Sequence, residues 1–64
     1  MFSQSHFAQT LEQILSTEDC VAEHYDKLLQ VVDDTELRLA LLALRQDVQR
    51  RVRIIHDLLG SLGR

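Results

Sequence analysis

Glu18 is the residue whose placement most invites chemistry. It stands between Ile14 and Val21 in a row of side chains, Phe7, Leu11, Ile14, Glu18, Val21, Tyr25, Leu28 and Val32, whose steps alternate four and three. Such a row occupies one face of a helix packed in coiled-coil fashion. A carboxylate on that face points at a core, where a charge is costly unless it is paired or bound to metal. Arg51 is the expected partner. In an antiparallel hairpin turning near Asp34, the residues level with Glu18 on the second helix are Arg50 and Arg51. Arg51 shares the direction of Val48 and Ile55, whereas Arg50 points outward. A guanidinium can hold a carboxylate with two hydrogen bonds. Arg51→Ala should then cost about 3–5 kcal/mol if Glu18 is left charged and buried, and Glu18→Leu with Arg51→Met should restore most of that.

Other chemistries find little support. His6, His24 and His56 are scattered, and there is no His-x-x-x-His, Glu-x-x-His or Cys-x-x-Cys spacing. An alternative metal set joins Glu18 to His24 and His56, which border the core faces, with Glu23 or Asp57 beside them. Cys20 has no neighbouring base to make it a nucleophile. Tyr25 reads as a core aromatic whose hydroxyl needs a partner. No phosphate-binding glycine loop, nucleophile elbow or Ser/His/Asp grouping occurs. No catalytic residue and no cofactor is expected, iron being the alternative.

The elements that position these residues follow from composition. The chain has 64 residues, 45% of them apolar, no proline, and two glycines confined to the last five positions. One cysteine excludes an internal disulfide, and no apolar run is long enough to span a membrane. Met1–Ser5 lacks the basic and apolar regions of a signal peptide, so a cytoplasmic setting is expected. The second apolar row runs Leu37, Leu41, Leu44, Val48, Val52, Ile55, Leu59, Leu62. Ser3 is the expected first N-cap, with Phe2 and Phe7 as a hydrophobic staple. Asp33 is the expected second N-cap, with Glu36 completing a capping box, and Gly60 the residue closing the second helix. The chain is thus one domain: helix one over about 4–32, helix two over about 34–59, and a frayed tail over 60–64. The short connection makes the helices antiparallel neighbours.

A lone hairpin leaves half of each apolar face wet, and a chain this short buries only about 60% of its unfolded surface. The expected fold is therefore all-α: an antiparallel two-helix hairpin that dimerises into a four-helix bundle. The expected dimer core is Leu11, Ile14, Val21, Tyr25, Leu28, Leu41, Leu44, Val48, Val52 and Ile55. Leu39 and Leu42 lie off the main stripe; singly exposed leucines are normal there, a further contact between dimers being the alternative. Charge divides sharply: eight acids and one base in residues 1–36, six arginines and two acids in 37–64. Two helices of opposite charge that pair with each other explain this. An RNA-binding hairpin dimer of the repressor-of-primer kind is the alternative, with Arg45, Arg53 and His56 as its basic face, but no aromatic lies among them to stack on bases.

The order Glu18-x-x-Val21-Ala22-x-x-Tyr25, an apolar run, the acidic turn Asp33-Asp34-Thr35-Glu36-Leu37, then Leu41-Leu42-Ala43-Leu44 and a helix ending in Leu58-Leu59 resembles the helical hairpin of the ferritin-like superfamily, encapsulated type. The resemblance covers roughly residues 14–59. It implies a bundle made by dimerisation, with a first-helix glutamate and a Glu-x-x-His pair on the second helix holding two irons. Glu18 matches the glutamate and Tyr25 the aromatic one heptad on. The second-helix pair falls on Val48 and Arg51, and Asp47 is turned from Val48 by about 100°. The end Gly60-Ser61-Leu62-Gly63-Arg64 is similar to the peptides that load cargo into encapsulin shells, which would make such a shell a partner. The leading expectation is a non-enzymatic, homodimeric interaction or structural protein that has lost the di-iron ligands; a ferritin-like iron-binding protein using Glu18, or an RNA-binding dimer, is the alternative.

Overall fold

The structure, a computed structural model, describes residues 3–62. Two helices, α1 (Gln4–Val31) and α2 (Thr35–Ser61), account for nearly all of them, with no strand among the described residues. Neither proline nor an early glycine interrupts the helices. Ser3 caps α1: its backbone is extended and its hydroxyl accepts from the His6 N–H at 3.0 Å. The staple that would join Phe2 to Phe7 lies outside the described residues.

The N-cap of α2 is Asp34, not Asp33. Its carboxylate accepts the Leu37 N–H at 2.9 Å. The third residue after the cap is thus Leu37, so Glu36 cannot complete a capping box. Glu36 instead lies in the first turn, where the helix dipole favours negative charge. The α1 end carries no glycine. Arg38 takes over the closing role: its guanidinium Nη1 donates to the Leu29 carbonyl and, at 3.1 Å, to the Val32 carbonyl. Carbonyls left without helical partners at a helix end need such donors.

The polar contacts between helices run in opposite order along the two helices. Gln4 meets Leu62, Glu18 meets Arg51, Asp26 meets Arg45, and Leu29 meets Arg38. The helices are therefore antiparallel, and they form a rod 47 Å long and 18 by 15 Å across.

The contact between them follows a strict heptad. On α1 it uses Ala8, Leu11, Leu15, Glu18, Ala22, Tyr25 and Leu29, with Val32 just beyond the helix. On α2 it uses Arg38, Leu41, Arg45, Val48, Val52, Ile55 and Leu59, then Leu62. All of these are buried or half-buried, and Val48 is fully buried.

This seam differs from the expected stripe. Leu11, Glu18, Tyr25 and Val32 are shared, but Ala8, Leu15, Ala22 and Leu29 replace Phe7, Ile14, Val21 and Leu28. Likewise Arg38 and Arg45 replace Leu37 and Leu44. The two rows lie one residue apart, about 100° around the helix. The hairpin closes on the row with two alanines, which lets the backbones approach, and on two arginines whose stems cover the seam while their heads reach polar partners. Phe7, Ile14, Leu28, Leu37 and Leu44 are left exposed.

Gly60 does not terminate α2. The helix runs through Ser61, and Leu62 is its C-cap, donating its N–H to the Leu59 carbonyl at 3.2 Å. A Cβ at Gly60 would meet nothing within 4 Å. Gly60→Ala should therefore raise the urea midpoint, by up to about 0.5–1 kcal/mol of stability; a loss would restore the terminating role. Arg38→Met should cost about 1–2 kcal/mol through the two carbonyl bonds, read as a lower thermal midpoint with α-helical circular dichroism retained in the cold.

Candidate functional site

Midway along the rod, Arg51 Nε donates to Glu18 Oε2 at 2.8 Å. The helix positions dictate the encounter. Glu18 belongs to the seam, with Leu15 and Ala22 on either side of it in the heptad. Arg51 lies one turn after the buried Val48, just beside the seam. Glu18's side chain is 16% exposed and Arg51's 51%. The carboxylate is therefore largely withdrawn from water while the guanidinium covers it from the solvent side. One nitrogen holds one oxygen; no second bond joins them. Among the described residues no buried side-chain nitrogen or oxygen lacks a partner.

A second interhelical pair lies about two turns nearer the connection between the helices. Arg45 donates from Nε to Asp26 Oδ1 at 2.9 Å and from Nη2 to Oδ2 at 3.5 Å. Sequence reasoning missed this pair and the Arg38 carbonyl bonds. The signal was present: Arg38 and Arg45 recur seven residues apart, in phase with Val52 and Leu59. Arg50 points away from the seam, as expected, and donates to Asp47 within α2 at 2.7 Å.

The remaining candidates disperse. His24 and His56 are exposed and lie on opposite edges of the hairpin, separated along its axis by roughly 15 Å from the helical rise. They cannot join Glu18 in one coordination sphere, and no cluster of three His, Cys, Asp or Glu side chains that could hold a metal ion occurs among the described residues. Where the ferritin-like resemblance would put the second-helix ligands stand an apolar, fully buried Val48 and the cation Arg51. The donor set does not fit a di-iron centre. The basic trio of the RNA alternative is also divided, because Arg45 is committed to Asp26 in the seam while Arg53 and His56 are exposed further along α2. Cys20 is an exposed free thiol. Leu58 to Ser61 are helical rather than an extended tail, and Gly63 and Arg64 lie outside the described residues. The open end of the hairpin has a shallow cleft lined by Gln4, Ser5, Ala8 and Leu62, none of which is titratable.

Among the described residues no ligand cluster that could hold a metal ion occurs. The structure's distinctive features are the central ion pair and a long exposed apolar face. No helix among the described residues is long and apolar enough to cross a membrane. No protein-family model, no curated protein and no solved structure matches the chain.

The half-exposure of Arg51 lowers the coupling expected for the hairpin alone. A double-mutant cycle with Arg51→Met and Glu18→Leu should give about 1–2 kcal/mol, between surface and buried pairs. Arg51→Met alone should be the more damaging change, and adding Glu18→Leu should recover stability in urea unfolding. A cycle showing no coupling would mean the charges do not stabilise one another.

Proposed function

We propose that the protein is a non-enzymatic structural or interaction module that acts as a homodimeric four-helix bundle. One observation carries the reading. The seam uses one apolar row of each helix and leaves a second row bare. On α1 that row is Phe7, Ile14 and Leu28, with the half-buried Val21 between them; on α2 it is Leu37, Leu44 and Leu58, with the charged Arg51 between them. In an antiparallel pair, both rows fall on the same side of the seam, because the heptad position just before each a residue faces its counterpart on the other helix. Phe7, Ile14, Leu28, Leu37, Leu44 and Leu58 are each at least 40% exposed there. Val31 and Ile54, more exposed still, extend the face at the next position around. The opposite edge is polar apart from Leu42, with Glu12 and Asp19 facing His56 and Gln49 and with Asp26 beside Leu42.

A contiguous apolar face of this length marks an interaction surface. A second copy satisfies it with the same residues on both sides, and four helices then enclose one core. The likeness to ferritin-like hairpins extends to such an assembly. Val48 and Arg51 at the second-helix ligand positions depart from that family's pattern, and an ion pair stands where metal donors would be.

Light scattering at micromolar concentration should give twice the chain mass, and a folded monomer would overturn the reading. Two substitutions separate the layers of the fold. Ile55 is buried within the hairpin and Leu44 is exposed on its bare face. Ile55→Asp should abolish helical circular dichroism, since it sets an unpaired charge in the seam. Leu44→Asp should act on association first, moving the dimer–monomer midpoint to at least about tenfold higher concentration in sedimentation.

A further inference from the structure

The bare face does more than call for a second copy; its charges choose how that copy lies. We propose that two chains pair through this face about a two-fold axis parallel to the helices, so that α1 of each copy lies over α2 of the other and both turns sit at the same end. This rests on the dimer reading above.

The face has the size that a stable partner needs. A rectangle 47 by 18 Å offers roughly 850 Å² per copy, about the share each partner contributes to a standard interface. Two symmetric ways of closing it exist. With the axis along the helices, α1 faces the partner's α2. With the axis across the helices, α1 faces the partner's α1 and the turns lie at opposite ends. Neighbouring helices are antiparallel in both, so helix direction does not choose between them.

Charge does. α1 carries Glu12, Glu18, Asp19, Glu23 and Asp26 against Lys27 alone, whereas α2 carries five arginines against Glu36, Asp47 and Asp57. Facing unlike helices brings an acidic rod onto a basic one; facing like helices opposes acid to acid. The central layer sharpens the choice. Glu18 and Arg51 lie near the midpoints of their helices, so any two-fold dimer brings two such pairs into one layer. Arg51 spends only its Nε on Glu18, at 2.8 Å, and is half-exposed on the bare face. Its Nη donors have no partner among the described residues. With unlike helices facing, they meet the partner's Glu18, and the four charges alternate around the layer. With like helices facing, Arg51 opposes the partner's Arg51 and Glu18 its Glu18, in a layer from which water has been expelled. The arrangement proposed does bring the acidic turns, with Asp33, Asp34 and Glu36, to one end. These are exposed and screened by salt over about 8–10 Å, so the desolvated central layer outweighs them. A polar layer in an otherwise apolar bundle also fixes register, which sliding would break.

The test is a distance. A nitroxide attached to Asp33→Cys, in a Cys20→Ser background, is read by pulsed dipolar spectroscopy in the full chain. Turns at one end place the two labels roughly 20 Å apart, given helix spacings of 8–10 Å plus the label arms. A separation near the 47 Å rod length would overturn the arrangement while leaving the dimer. No dipolar coupling together with single-chain mass would instead remove the dimer itself. An independent check mixes the isotope-labelled protein with the charge-exchanged variant Glu18→Arg/Arg51→Glu, which keeps its internal pair. Native mass spectrometry should find heterodimers at below about a tenth of the dimers, because in a mixed dimer Glu18 and Arg51 of the unaltered chain each face a like charge on the variant. Heterodimers in excess of about half would indicate like helices facing, and a statistical half would mean the charges of the two copies do not meet; either result sinks the proposal.

Discussion

The seam between α1 and α2 is the constraint on which the rest depends. Its heptad must close with side chains small enough, or long enough, to let two helices lie together over their full length. Ala8 and Ala22 supply the close approach, and Val48, with no exposed surface, fills the space beneath. Arg38 and Arg45 show the other solution, with aliphatic stems on the seam and charged heads carried to the α1 carbonyls and to Asp26. Once these residues are spent on the seam, the larger apolar side chains, Phe7, Ile14, Leu28, Leu37, Leu44 and Leu58, have nowhere inside the hairpin to go. The bare face is thus a consequence of how the seam closes.

The same constraint explains the charges. Glu18 stands in the seam itself, so its carboxylate is withdrawn from water whether or not a second copy is present. Arg51, one row aside, reaches it and stays half in solvent. A pair placed this way adds little net stability, since desolvation offsets much of the attraction. Its value is in discrimination: an unpaired Glu18 is penalised, so a slipped register of the hairpin is penalised with it. The Arg45–Asp26 pair and the Arg38 carbonyl bonds act similarly within the hairpin, each tying a given turn of α2 to a given turn of α1. Where the ferritin-like resemblance would place donors, this chain places a methyl-rich side chain, Val48, and a cation, Arg51.

The sequence by itself determined two helices, their antiparallel pairing, the Ser3 cap, the outward turn of Arg50 and the meeting of Glu18 with Arg51. These depend on periodicity, chain direction and the rise per residue, all of which are local. It also announced more apolar residues than one helix–helix contact can use. Which of two adjacent rows would form that contact it marked wrongly: the more apolar row, with Phe7, Ile14, Leu37 and Leu44, was the expected one, and the two rows share Leu11, Glu18, Tyr25 and Val32. Only the tertiary structure decided it, in favour of alanines and arginine stems, since the fit between two surfaces is a property of the pair and not of either strip alone. The shift of the N-cap to Asp34 and the run of α2 through Gly60 were decided at the same level. Arg38, bonded to the end of α1, secures the turn one residue later than the capping pattern suggested, and an open helix end leaves Gly60 free to stay helical.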